Sequence, residues 1–173
     1  MKTIIMAITI TVLFAQHTLA STFQHPIEGE LYTEAIQPEL YCLAMNIYHE
    51  SRAELVVGQY AVADVTINRV YDTRYPNTIC GVVMQGYKHA SGQMKRNKCQ
   101  FSWYCDGKSD QVHDTDRWRI AQEVAYRSVK EKKFRGITEG ATHYHATYVS
   151  PSWRTSLDLV GSIGAHIFYR WSN

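Results

Sequence analysis

The run Ile47-Tyr48-His49-Glu50-Ser51-Arg52-Ala53-Glu54 sets a carboxyl group at the end of an apolar stripe. Upstream, Leu40, Leu43, Ala44 and Ile47 recur at i, i+3, i+4 and i+7. That spacing predicts a helix from Glu39, behind Pro38, with Glu50 one turn beyond Ile47. A carboxyl group half packed into a core loses hydration, which disfavours its ionised form. Such a group keeps its proton near neutral pH and suits general acid work. On the residues alone, Glu54, Asp64 and Asp72 are equal candidates, and an ordinary surface carboxylate is the plain alternative for Glu50. His143 and His145, at i and i+2 on a strand, would face the same way and could begin a zinc site, but no third ligand stands out. No Gly-x-Ser-x-Gly elbow is present, and no nucleotide loop or cofactor motif is seen.

The cysteines depend on compartment. Lys2, the apolar stretch Ile4–Phe14 and Thr18-Leu19-Ala20 read as a secretory signal peptide over residues 1–20, cleaved before Ser21. The apolar run is short for a membrane span, so no stable anchor is expected after cleavage. The expected location is outside the cytoplasm, in the periplasm or cell wall. There the four cysteines Cys42, Cys80, Cys99 and Cys105 predict two disulfides, with three connectivities open. A short loop Cys99–Cys105 would leave Cys42 and Cys80 to close a long one.

These groups need elements to hold them. Residues 21–37 read as a lead-in segment, and residues 38–173 as one domain. A second helix is predicted over about Val57–Val70, with Asn68 and Arg69 in its last turn. Tyr71–Asp110 reads as loop-rich, with a short apolar piece at Ile79–Met84 and a basic stretch carrying Lys88, His89, Lys95, Arg96 and Lys98. Trp118, Ile120, Ala121, Val124, Ala125 and Val129 mark one side of a third helix. Strand patterns follow at about Ala141–Val149 and Ile163–Tyr169. Helices followed by a hairpin predict an α+β fold. A chain of 173 residues, 45% apolar and 20% charged, fits a single globular domain and excludes a largely disordered one. The net charge of +2 argues against a nucleic-acid partner. Twelve Tyr and four Trp offer flat faces with polar edges, suited to ring-shaped polar ligands or to an ordinary core.

Five ordered blocks resemble the spore-cortex-lytic and cell wall hydrolase family. They are Leu43–Glu54, similar to the family's "iy-x-E-a-R-G-E"; Gly58–Val70; Tyr75–Gln85; Cys99–Trp103; and Ala141–Ala146 with Val149–Trp153. Together they span most of residues 40–153 in the family's order. Ser51 and Ala53 depart from the usual small residue and Gly after Glu50, and the basic stretch 86–98 is longer than the usual connection.

The resemblance implies a small lysozyme-like (transglycosylase-like) domain, a helical core with a C-terminal hairpin or sheet lining a cleft. It implies cleavage of peptidoglycan glycan strands, with Glu50 as the catalytic acid and then base of a lytic transglycosylase. That reaction needs one carboxyl group, no metal and no cofactor. The substrate contacts it suggests are Gln100, Ser102, Trp103, His143, Tyr144, His145 and Trp153. Arg52, Glu54 and Asn68 would support the site, with Asn68 and Arg69 bound to backbone or to Glu54. The alternatives are a hydrolase using a second carboxylate such as Asp106 or Glu139, and a non-catalytic wall-binding protein. The expected state is a monomer.

Overall fold

The computed structural model describes Glu34 and residues 37–172. The expected signal peptide, its expected cleavage point before Ser21 and nearly all of the expected lead-in lie outside the described residues. Three long helices form the first layer: α1 (Pro38–Ser51), α2 (Val56–Tyr71) and α4 (Thr115–Lys130), with the short α3 (Ile79–Val83) between them. Pro38 sits in the first turn of α1, where its missing N–H costs nothing. Glu39, in the same turn, satisfies the start of another helix. Its carboxylate accepts from the backbone N–H of Ile79 at 2.5 Å and of Cys80 at 3.4 Å. Thr78 caps α3 through Gly81 N–H, and Asp114 caps α4 through Arg117 N–H, each at 3.0 Å. The Cys42–Cys80 disulfide joins α1 to α3, and Cys99–Cys105 closes the short loop, so both expected pairs form.

The main core lies where α1 meets α3 and α4. Leu43, Ala44 and Ile47 are fully buried against Val82, Val83, Phe101, Ala121, Val124 and Ala125. A second, smaller cluster joins Ala61 and Val65 of α2 to Ala141 and Phe168. The segment leading from α4 to the sheet is pinned by Asp64, a buried carboxylate on α2. It pairs with Arg135 and accepts from Gly136 N–H at 3.0 Å, Thr138 N–H at 3.1 Å and the Thr138 hydroxyl at 2.6 Å. Asn68, one turn later, donates to Thr138 Oγ1 at 3.1 Å and to Ala141 O at 2.9 Å.

Two small sheets complete the fold. The basic stretch, expected as loop, is a hairpin of β1 (Gly86–Lys88) and β2 (Met94–Cys99). Gly86 is required there, because a Cβ would come within 2.8 Å of Cys99 Sγ. The tail is a three-stranded antiparallel sheet in the order β3 (His143–Ala146), β5 (His166–Arg170), β4 (Asp158–Ile163). The hairpin expected from two strands therefore gains a third. The pattern Ile163–Tyr169 straddles the β4–β5 turn, where Gly164 adopts φ +59°. No described helix is long and apolar enough to cross a membrane.

Candidate active site

Glu50 occupies the last turn of α1 and is partly buried. The core stripe of Leu43 and Ile47 carries this turn under the sheet, where β3 meets it. The Tyr144 hydroxyl donates to Glu50 Oε2 at 3.1 Å. Burial raises the Glu50 pKa; the Tyr144 hydrogen bond and the charge of Arg69 pull it back down. The same burial, together with the neighbouring Glu50 charge, holds the Tyr144 hydroxyl protonated, well above the usual phenol range. The site is thus a desolvated carboxyl group with one neutral donor and one nearby cation.

That cation is a residue the sequence reading left among the supports. Arg69 is 5% exposed, and its Nε donates to Thr142 O at 2.7 Å. The guanidinium lies over the rings of Phe101 and Tyr75, at 5.0 and 5.3 Å from their centroids. Its Nη1 is buried with no partner among the described residues. The Thr142 contact ties the end of α2 to the entry of β3, one residue pair before Tyr144. Arg69 therefore binds backbone, as expected, and not Glu54.

Strand parity separates the three candidates on β3. Tyr144 packs against His166 and Phe168 on the helix-facing side. His143 and His145 face the other way, as alternate residues must. His145 bonds through Nε2 to the Tyr169 hydroxyl at 3.1 Å and through Nδ1 to Ala146 O at 2.9 Å, so both ring nitrogens are engaged. His143 lies among Tyr75, Trp153 and Trp171. Burial and the charges of Arg69 and Arg74 lower its pKa to about 4, so it is neutral at ordinary pH. Trp153 contacts both histidines and Tyr169, with part of its indole exposed. The structure brings Tyr144 to Glu50 and gathers His143, His145 and Trp153 into an aromatic wall on the opposite face.

The loop after β2 approaches from the other side. Trp103 stacks on His49, the residue before Glu50, with centroids 4.5 Å apart, and its Nε1 donates to the buried Asn46 at 3.0 Å. Gln100 and Ser102 are exposed beside it. Ser51 is buried and donates back to Ile47 O at 2.9 Å, so it finishes α1 in place. Arg52 donates to Tyr48 O and lies over the Tyr48 ring. Glu54 accepts from Ala165 N–H at 3.0 Å, which fastens the entry of α2 to the β4–β5 turn. Of the alternative second carboxylates, Asp106 accepts from Lys108 N–H in its own loop, and Glu139 is exposed beside Arg170.

A helical core whose first long helix ends in a carboxyl group under a short antiparallel sheet defines an α+β domain of lysozyme-like type. The chain belongs to the cell wall hydrolase family: the family's model matches residues 53–169, beginning three residues after Glu50. It is similar to a spore cortex-lytic enzyme of Halalkalibacterium halodurans, 28% identical over 132 residues, covering 75% of this chain and 34% of the relative. A spore cortex-lytic enzyme of Bacillus cereus is 43% identical over 49 residues, 28% of this chain and 19% of the relative. The matches thus span about a fifth to a third of the length of these curated relatives. Among solved structures, the catalytic domain of the germination-specific lytic transglycosylase SleB from Bacillus anthracis superposes with a TM-score of 0.55 at 23% identity. That match covers 83% of this chain and 99% of the other. The catalytic domain of Bacillus cereus SleB gives 0.54 at 24% identity, covering 82% of this chain and 94% of the other. At these identities the structural likeness establishes the fold.

Proposed function

We propose that residues 38–173 form a catalytic unit that cleaves the MurNAc–GlcNAc bond of peptidoglycan outside the cytoplasm, as a lytic transglycosylase. The observation that carries this reading is the desolvated Glu50 carboxyl group with Tyr144 as its hydrogen-bond donor, in a chain of the cell wall hydrolase family. Protonated Glu50 gives its proton to the glycosidic oxygen as the C1–O bond breaks, and the GlcNAc hydroxyl leaves. The MurNAc C1 becomes oxocarbenium-like. The C6 hydroxyl of the same sugar then forms the O6–C1 bond and returns its proton to Glu50. The enzyme ends in its starting state, no water is consumed, and the product carries a 1,6-anhydro ring. Hydrolytic glycosidases commonly require a second carboxylate. Asp106 is engaged in its own loop and Glu139 lies exposed beside Arg170 of β5, which favours the one-carboxylate route.

Mass analysis of a digest of purified peptidoglycan tests the reaction. Anhydro-MurNAc ends, one water lighter than reducing ends, are expected from the wild type and absent with Glu50→Gln. Reducing ends from the wild type would refute the transglycosylase, and full activity of Glu50→Gln would refute the site.

A further inference from the structure

The β1–β2 hairpin is not used by the reaction above. Between Gln85 and Cys105 the chain carries four Lys or Arg and no Asp or Glu, a local charge of +4 in a protein of net +2. Lys88, Lys95, Arg96 and Lys98 are all exposed, and among the described residues the three lysines enter no ion pair. A polar cavity of about 530 Å³ lies against the hairpin, lined by Gln85, Tyr87, Asn97, Lys98 and Gln100. Tyr87 is 72% exposed, an aromatic face held open to solvent. Gln85 Oε1 is buried with no hydrogen-bond partner among the described residues. A buried carbonyl acceptor left unpaired is costly, and a turn of the Gln85 side chain into the cavity would let a ligand N–H satisfy it.

The base of this cavity is rigid. Gln100 N–H donates to Gln85 O at 2.9 Å, and the Cys99–Cys105 disulfide closes the loop behind it. Asn97 adopts φ +57°, breaking strand alternation beside Lys98. Three residues beyond Gln100, Trp103 stacks on His49, next to Glu50. The cavity is therefore continuous in chain with the wall of the candidate active site.

We propose that this cavity binds the acidic stem peptide of peptidoglycan, with Lys98 receiving a peptide carboxylate and Gln85 accepting from a peptide amide. The inference rests on the peptidoglycan reading and extends it to the part of the substrate outside the glycan. The lining asks for a ligand with an anion, an N–H donor and a face to lie against Tyr87. A peptide with free carboxylates has both the anion and the donor. A glycerol-phosphate polymer carries its anion as a phosphodiester and has hydroxyl donors but no peptide N–H.

The test is a titration of the ¹⁵N-labelled protein, followed by NMR, with N-acetyl-L-Ala-γ-D-Glu-L-Lys-D-Ala and with the same peptide amidated at its carboxyl groups. The acid peptide should shift the amides of Asn97, Lys98 and Gln100 saturably, and the amidated one should bind about tenfold or more weaker, as expected for loss of a charge-assisted bond. Lys98→Gln, at an exposed position, should weaken the acid peptide by a similar factor, and Gln85→Met should weaken both. Equal binding of the two peptides, wild-type binding by Lys98→Gln, equal binding of a glycerol-phosphate oligomer, or no saturable shift would each overturn the site. Binding is read without turnover. Anhydro products without peptide binding would overturn this inference alone; peptide binding without glycan cleavage would overturn the glycan reading alone.

Discussion

The Tyr144 hydroxyl and the Glu50 carboxylate, 94 positions apart in the chain, are joined by a 3.1 Å hydrogen bond across the interface between α1 and β3. The bond opposes the effect of burial: it stabilises the ionised form that desolvation disfavours. In the proposed reaction Glu50 serves in both forms, the acid for bond breaking and the base for ring closure.

Tyr144→Phe keeps the ring packed on Phe168 and deletes the donor. The Glu50 pKa then rises further, so the alkaline limb of the kcat profile moves to higher pH. Arg69→Met, which deletes the charge, moves it in the same direction. Loss of orientation should lower kcat roughly ten- to hundredfold. A pH–rate profile of each variant checks this; an unmoved limb would separate Tyr144 from the titration of Glu50.

Glu50→Gln separates activity from stability. Acid–base assistance is worth roughly 10²–10⁴-fold, and loss of both roles should bring activity to background. The folded Glu50 pKa lies above its ordinary value of 4.5. The protonated carboxyl group is therefore accommodated without penalty below the unfolded value. As pH rises toward and through the folded pKa, ionisation of the unfolded chain draws stability away. Gln cannot ionise, so the variant should match the wild type near pH 4 and melt at or above it near pH 7. Calorimetry at the two pH values measures the difference.

The two disulfides should contribute unequally. Cys42–Cys80 spans 38 residues and Cys99–Cys105 spans 6. In the loop-entropy model these correspond to roughly 4 and 2 kcal/mol. Paired Cys→Ala variants, unfolded in denaturant, should rank in that order. Equal losses would point to native-state contacts of the Cys99–Cys105 pair beyond loop entropy, since truncating Cys42 in the main core adds to the larger loss.

The long helices were legible because their buried positions follow the helical period, and α1 alone carried Glu50 to its place. The hairpin at 86–99 was not, because Lys95-Arg96-Asn97-Lys98 is exposed throughout; backbone pairing and a disulfide hold it, and neither leaves an apolar pattern. The strand β4 was hidden by Gly161 at a register shift and by an exposed Leu159. The separation of Tyr144 from His145 was available in strand parity, since neighbours on a strand face opposite sides. Arg69 had no local signal. Its burial depends on Thr142, Tyr75 and Phe101, which reach it only in the folded chain.

Asp64 gives the last prediction, because it lies outside the site and controls its geometry. Its carboxylate gathers Arg135, Gly136 and Thr138, and so fixes the segment that delivers β3. Asp64→Asn preserves shape but removes the charge opposite Arg135 and replaces one acceptor with a donor facing N–H groups. Breaking a buried pair on one side costs about 3–5 kcal/mol; Arg135 retains some solvent contact, so about 3 kcal/mol is expected. Asn68 shares Thr138 and Ala141 with this network, so the entry of β3 should loosen and carry Tyr144 away from Glu50. Denaturant unfolding should show the loss of stability. Below the unfolding transition kcat should fall while Glu50 stays chemically intact. A variant with the full stability loss and unchanged kcat would show that the sheet, once folded, holds Tyr144 without help from Asp64.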